Sequence, residues 1–204
     1  MAIHLHACDL PDGLSFGEIV AVDSEAMGLN PHRDALTVVQ LSAGDGDAHI
    51  VQLRRPDYEA PNLKRLLADP GVIKLLHYAR FDIAMFMHHL GVETASIYCT
   101  KIASKLARTY TDRHGLKDVT RELLGLELSK QQQSSDWGAD QLSPEQLNYA
   151  ASDVLSLHAL KLRLDAMLVR EGRVELAQAC FKFLPIRARL DLEGWADQDI
   201  FSHS

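Results

Sequence analysis

Apolar positions in the first quarter of the chain come in short blocks of strand length, and beyond residue 61 they recur at helical spacing. The block Ile19-Val20-Ala21-Val22, within residues 17–25, runs straight into Asp23-Ser24-Glu25. Residues 36–41 and 48–53 are β-branched runs of similar length, and Gly44-Asp45-Gly46-Asp47 between them is a hairpin turn signal. The pattern predicts three sequential antiparallel strands. After Pro61, Leu63, Leu66 and Leu67 mark a short helix that Asp69-Pro70-Gly71 stops, and residues 72–76 read as a buried strand returning to the sheet. Helices are predicted over 81–90, 100–109, 116–124, 144–170, 174–183 and about 186–192. Ser143-Pro144 supplies the N-cap and first-turn pair of the longest. Strands first, helices afterwards and one strand-helix-strand return make a mixed β-sheet flanked by α-helices, an α/β fold.

Composition narrows the partners. At 204 residues and 47% apolar, the chain has the size of a single compact domain, residues 1–204, with a helical C-terminal part over about 171–204. Lys plus Arg total 21 against 28 Asp plus Glu, a net charge of −7, which argues against a bulk-electrostatic grip on duplex DNA or an anionic membrane. Any nucleic-acid role must therefore be local, small or metal-assisted. Cys8, Cys99 and Cys180 are widely separated with no C-x-x-C pair, which fits a reducing cytoplasm and excludes a zinc ribbon. The longest uncharged stretches, 35–44 and 83–92, run to ten residues, short of the roughly 18 needed to span a bilayer. The first ten residues lack a basic and an apolar region, so neither a signal peptide nor an anchor is expected.

Candidate chemistry is acidic. Asp23 and Glu25, two apart at a strand end, point to the same side. Alone, such a pair is a solvated strand end or a cap; held close, the two carboxylates repel unless a cation sits between them. Asp82 follows the second buried strand near a helix start, where the helix dipole by itself accounts for an acid. Tyr149 and Asp153, four apart, share one helix face among Leu147, Ala151, Val154 and Leu157, a poor place for an unpaired carboxylate. Four acids from two strand ends and one helix suit two Mg²⁺ or Mn²⁺ ions, which take oxygen ligands and serve phosphoryl transfer in pairs. The Tyr149 phenol then orients or deprotonates a water, or is a core aromatic with a wet tip.

The trio Val22-Asp23-Ser24-Glu25, His77 to Phe81-Asp82 and Tyr149-x-x-x-Asp153 resembles the three motifs of DEDDy 3′→5′ exonucleases, which implies a ribonuclease H-like fold. Lys130-x-x-Gln133-x-Ser135-Asp136-Trp137 and Gln146-x-x-Tyr149-Ala150-Ala151-x-Asp153-Val154 resemble ribonuclease D, which carries helical domains well beyond its last motif, whereas 51 residues follow Asp153 in this sequence. From Asp9-Leu10-Pro11 through Met27-Gly28-Leu29-Asn30-Pro31-His32-Arg33 to residues 131–138, the chain resembles the nanoRNase C family of small exoribonucleases. Two departures stand out. Ser24 replaces the superfamily's frequent Thr, and Cys99-Thr100 replaces the Asp-Thr of ribonuclease D.

That resemblance implies a metal-dependent 3′→5′ exoribonuclease acting on short RNA, dinucleotides above all, and assembled as a homo-octamer. It implies that Asp23, Glu25 and Asp153 hold one metal, that Asp23 and Asp82 share a second, and that Tyr149 positions the water. Leu29, four past Glu25, is either a wedge between two bases or a loop residue tucked under the sheet. Ser24, Met27, Gly28, His77 and Phe81 are expected along the substrate, and Arg108, Arg113, His114 and Lys130 near its phosphates. Gln133, Ser135 and Trp137 either bind the 5′ nucleotide or form a structural loop. His4 with His6, and His88 with His89, lack a third zinc ligand at suitable spacing. Phe181, Phe183, Leu184 and Trp195 offer apolar surface for subunit contacts. The alternatives are a broader exonuclease acting on longer RNA or DNA, and an inactive RNA-binding or assembly module.

Overall fold

The structure, a computed structural model, describes residues 2–129, 131–132 and 134–203. A six-stranded sheet forms from β1 (Ile3–Ala7), β2 (Ile19–Ala26), β3 (Leu36–Ser42), β4 (Ala48–Gln52), β5 (Ile73–Leu76) and β6 (Ile97–Cys99), in the order β1-β4-β3-β2-β5-β6. The predicted β2-β3-β4 meander is antiparallel, and β5 returns parallel to β2. Both sheet edges escape the hydrophobic pattern. The strand β1 alternates half-buried and exposed residues beside β4, and β6 is three residues long beside β5. Strand β2 therefore lies inside the sheet, held on both sides, with its acidic end opposite β3.

The helices are α1 (Pro61–Ala68), α2 (Ala79–Met85), α3 (Thr100–Ala107), α4 (Leu116–Leu124), α5 (Pro144–Leu155), α6 (Leu157–Arg170) and α7 (Val174–Leu190). A π-helical turn extends α2 over Phe86–Leu90, and another follows α7 over Asp191–Trp195. Two boundaries differ from the hydrophobic periodicity. The predicted helix 144–170 breaks at Ser156, because α5 lies across β2, β3 and β4 while α6 packs against α3 and β5. The predicted helices 174–183 and 186–192 are one helix running through Pro185, with Phe181, Leu184 and Ala188 buried on one face against α2 and α3. That packing outweighs the roughly 3 kcal/mol a proline costs a helix interior. Phe181 and Leu184 thus belong to this chain's own core, and Phe183 is half-buried. The exposed apolar residues of this region are Leu176, Ile186, Trp195, Ile200 and Phe201.

Lys74 lies fully buried in β5 because its ammonium reaches the carbonyls of Asp69 and Val72 at the preceding turn; burial lowers its pKa to about 8. Helix α5, which lies across β2, β3 and β4, starts in a reciprocal cap. Ser143 Oγ accepts from the Gln146 amide nitrogen, and Gln146 Oε1 accepts from that of Ser143. Ser143→Ala is expected to lower unfolding free energy by about 1 kcal/mol, read by urea denaturation.

Candidate active site

The end of β2 delivers Asp23 and Glu25 to one side of the sheet, and a register irregularity between Glu25 and Ala26 bends the strand away just after them. Above them α5 brings Asp153, one turn after Tyr149. One carboxylate oxygen from each of Asp23, Glu25 and Asp153 lies within 4.8 Å of the others, the only such three-residue group of His, Cys, Asp or Glu among the described residues. They sit at the floor of a cleft of 810 Å³ lined also by Met27, Leu29, Phe81, Tyr149 and Ser135.

Asp82 takes a different place. It is 2% exposed, and Ser24, pointing away from Asp23 and Glu25, donates its hydroxyl to Asp82 Oδ1 at 2.6 Å. Its charge still acts on Asp23 and Glu25. Burial, then mutual repulsion, raises Asp23 well above the ordinary carboxylate range and Glu25 to about 9. Burial raises Asp82 and Asp153 to about 7. The Tyr149 phenol is pushed upward by burial and by Asp153, Glu25 and Asp23, and it donates to Asp153.

Gln40, which sequence reasoning missed, is the direct cross-strand partner of Asp23. Fully buried, it donates from Nε2 to Asp23 Oδ2 at 2.7 Å and also bonds Glu25. An uncharged Gln inside the apolar run Leu36-Thr37-Val38-Val39-Gln40-Leu41 was the available signal.

The cleft walls are tied by side chain to backbone bonds. Gln146 Nε2 donates to Ser135 Oγ and to the Asp136 carbonyl, Gln52 to the Ala139 carbonyl, and Arg55 to the Gly138 carbonyl and Met27 Sδ. The opposite loop is held by Asp34, which accepts from the Asn30 amide and from Arg33. It passes so close to Gly28 that a Cβ there would lie 2.2 Å from Asp34 Oδ2. This loop leaves Met27 55% and Leu29 84% exposed, so Leu29 is not tucked under the sheet.

Several expected substrate contacts stand elsewhere. Arg108 is fully buried; its guanidinium is spent on Glu122, Ser104 Oγ and the Arg113 carbonyl, so it does not reach the cleft. His114 bonds Ser104 and lies outside the residues lining the cleft. Trp137 does line the cleft but is 3% exposed, packed with Val38, Ile50 and Ala150 beside Tyr149. Lys130 and Gln133 lie outside the described residues. Among the described residues, the cations that do line the cleft are Lys101 and Lys117. His77 lines it too, bonded through Nδ1 to Thr100 Oγ1, and burial lowers its pKa to about 3, so it is neutral. Elsewhere the fold adds His49 to His4 and His6, and His32 to His88 and His89.

A carboxyl held above its unfolded pKa of about 4 binds its proton more tightly in the folded chain, so its stabilising effect is complete below that value. It is lost as pH rises through the folded values, about 7 for Asp82 and Asp153 and about 9 for Glu25. In EDTA, the melting temperature of the native chain is expected to fall relative to Asp82→Asn/Asp153→Asn as pH rises from about 4 to about 7. Mg²⁺ at pH 8 should reverse the loss; differential scanning fluorimetry reads both.

A family model described as 3′-5′ exonuclease matches residues 8–169. The chain is 33% identical over 156 residues to ribonuclease D of Gluconacetobacter diazotrophicus, covering 76% of this chain and 39% of the relative. To ribonuclease D of Acidiphilium cryptum it is 34% identical over 166 residues, covering 81% and 42%. The chain thus spans about two fifths of the length of these relatives. Among solved structures, Brucella melitensis NrnC bound to pGG is 54% identical with a TM-score of 0.97, each chain covered completely. Brucella melitensis NrnC with bound Mg²⁺ is 53% identical with a TM-score of 0.96, again over the whole of both chains. Escherichia coli RNase D, at 22% identity and a TM-score of 0.74, covers 88% of this chain and 48% of its own, and shares the fold.

Proposed function

The chain belongs to the 3′-5′ exonuclease family and, within it, to the family of Brucella melitensis NrnC, and from that membership we propose a metal-dependent 3′→5′ exoribonuclease that hydrolyses short RNA, dinucleotides above all, to nucleoside 5′-monophosphates. The observation that carries this reading is the meeting of Asp23, Glu25 and Asp153 at the floor of a cleft whose sides expose Met27 and Leu29. An all-oxygen donor set, with carboxyl groups raised by burial and then by mutual repulsion, fits hard divalent cations. Asp23, Glu25 and Asp153 would hold one Mg²⁺ or Mn²⁺, and Asp23 with Asp82 a second. When bound, such ions stabilise the charge that builds on the phosphate and on the attacking and leaving oxygens.

The protein groups supply position. Tyr149 stays protonated and donates to Asp153, which leaves its oxygen to accept from a water; it orients that water, and its raised pKa disfavours deprotonation by the phenol. Leu29 and Met27 offer apolar contact to two bases, with Phe81 and His77 along the cleft. Lys101 and Lys117 face the phosphates in place of the expected Arg108 and His114, and Ser135 lies on the same wall. Ser24 holds Asp82, and Gln40 holds Asp23 and Glu25 at a fixed spacing.

The reading extends to one exonuclease domain acting in the cytoplasm, in keeping with three free cysteines and with no helix of the described residues long and apolar enough to cross a membrane. Its exposed Leu176, Ile186, Trp195, Ile200 and Phe201 support a homo-oligomer, octameric by family resemblance.

Tyr149→Phe should lower kcat on a dinucleotide by about a hundredfold or more, with KM changed only slightly. On a 5′-labelled length series the rate should collapse above two or three nucleotides; an even rate supports the broader exonuclease, and hydrolysis in excess EDTA defeats the metal-dependent reading. Gln40→Leu should weaken Mn²⁺ binding by about 10–100-fold, read by titration calorimetry without substrate.

A further inference from the structure

Beside the cleft lies a second cavity, of 320 Å³, against α2, α3 and α7, and Lys101 lines both. Its floor is apolar, built from Ile102, Cys180, Phe183 and Leu184. Two of its four cations are already paired: Arg80 and Arg187 share the single carboxylate of Asp191, with Nη2 to Oδ1 distances of 2.7 and 2.9 Å. The other two, Lys101 and Lys105, stand one turn apart on α3. Neither forms an ion pair among the described residues, and no carboxylate lines the cavity.

Tyr78 makes the remaining wall. Its backbone is left-handed, with φ of 69°, a costly conformation for an aromatic residue. Of the two adjoining residues, His77 lines the cleft and Tyr78 the second cavity. The Tyr78 ring is 47% exposed, and the Lys101 ammonium sits 4.0 Å from its centroid, which leaves its other face free.

An apolar floor and a free aromatic face suit a flat base, and two unpaired ammonium groups suit a phosphate monoester. The volume lies near the lower bound of about 300 Å³ for small-molecule sites, which limits the occupant to one nucleotide unit. We propose that this cavity binds a nucleoside 5′-monophosphate, with Lys101 and Lys105 on the phosphate and Tyr78 on the base. The choice of ligand rests on the reaction proposed above, of which it is the product class. Lys101, shared by both cavities, can turn to a phosphate on either side.

Cys180 reports occupancy from inside the cavity, and half-buried Cys8, far along the chain on the β1 side, is an internal reference. Alkylation by iodoacetamide is followed peptide by peptide on the full chain in EDTA, so that no hydrolysis enters. AMP is expected to slow modification of Cys180 at least fivefold and leave Cys8 unchanged. Inorganic phosphate and adenosine should each protect at least tenfold more weakly than AMP. Lys105→Glu should abolish protection and Lys105→Arg retain it, with dinucleotide hydrolysis in Mg²⁺ unchanged in both. The proposal is overturned by a Cys180 that AMP does not protect, by equal protection in Lys105→Glu, or by a Cys180 inert without ligand, which would mean that another copy covers the cavity. Failure of hydrolysis in the native chain would instead remove the reaction and leave the binding result standing.

Discussion

Carboxylate repulsion is the constraint on which the rest of this structure depends. Three acids meet within 4.8 Å and a fourth, Asp82, acts on them from behind, in a place where burial already disfavours charge. Such a group persists only if the surrounding framework cannot relax away from it. Placing β2 inside the sheet supplies that rigidity, since its acidic end is held by β3 on one side and its start by β5 on the other. The register with β3 then sets Gln40 against Asp23, so that a neutral amide satisfies two acids without cancelling the charge a cation needs.

The helical layer follows the same demand. Had residues 144–170 stayed one straight helix, the segment carrying Asp153 would share its axis with the segment that packs on α3. The break at Ser156 uncouples them and lets α5 lie over the strand end. Gln146 serves two purposes at once: it caps α5 and ties the wall at Ser135 and Asp136 to that same helix. The wall and Asp153 are therefore joined to one helix.

Net charge acquires a narrower meaning in this setting. A chain of −7 repels long polyanions, yet under the proposed function its four site acids are the ones that divalent cations would neutralise. Lys101 and Lys117 add positive charge to the lining of the cleft. Charge thus bears on the length of substrate that is tolerated more than on its chemical class.

The sequence by itself determined the meander, the return of β5, most helix spans and the acidic positions Asp23, Glu25 and Asp153 that the fold brings together, because periodicity and motif spacing are local quantities. Tertiary structure decided what depends on partners distant along the chain. Short edge strands such as β6 carry too few residues to show a period. Arg108 looks like a phosphate ligand until Glu122, fourteen residues on, claims its guanidinium, and Trp137 gives no sign in the sequence that β3, β4 and α5 pack around it. Pro185 reads as a helix end until the face it interrupts is seen buried. In each case the side chain's chemistry was legible and its commitment was not, since commitment is set by which neighbours the fold brings within hydrogen-bond or van der Waals reach.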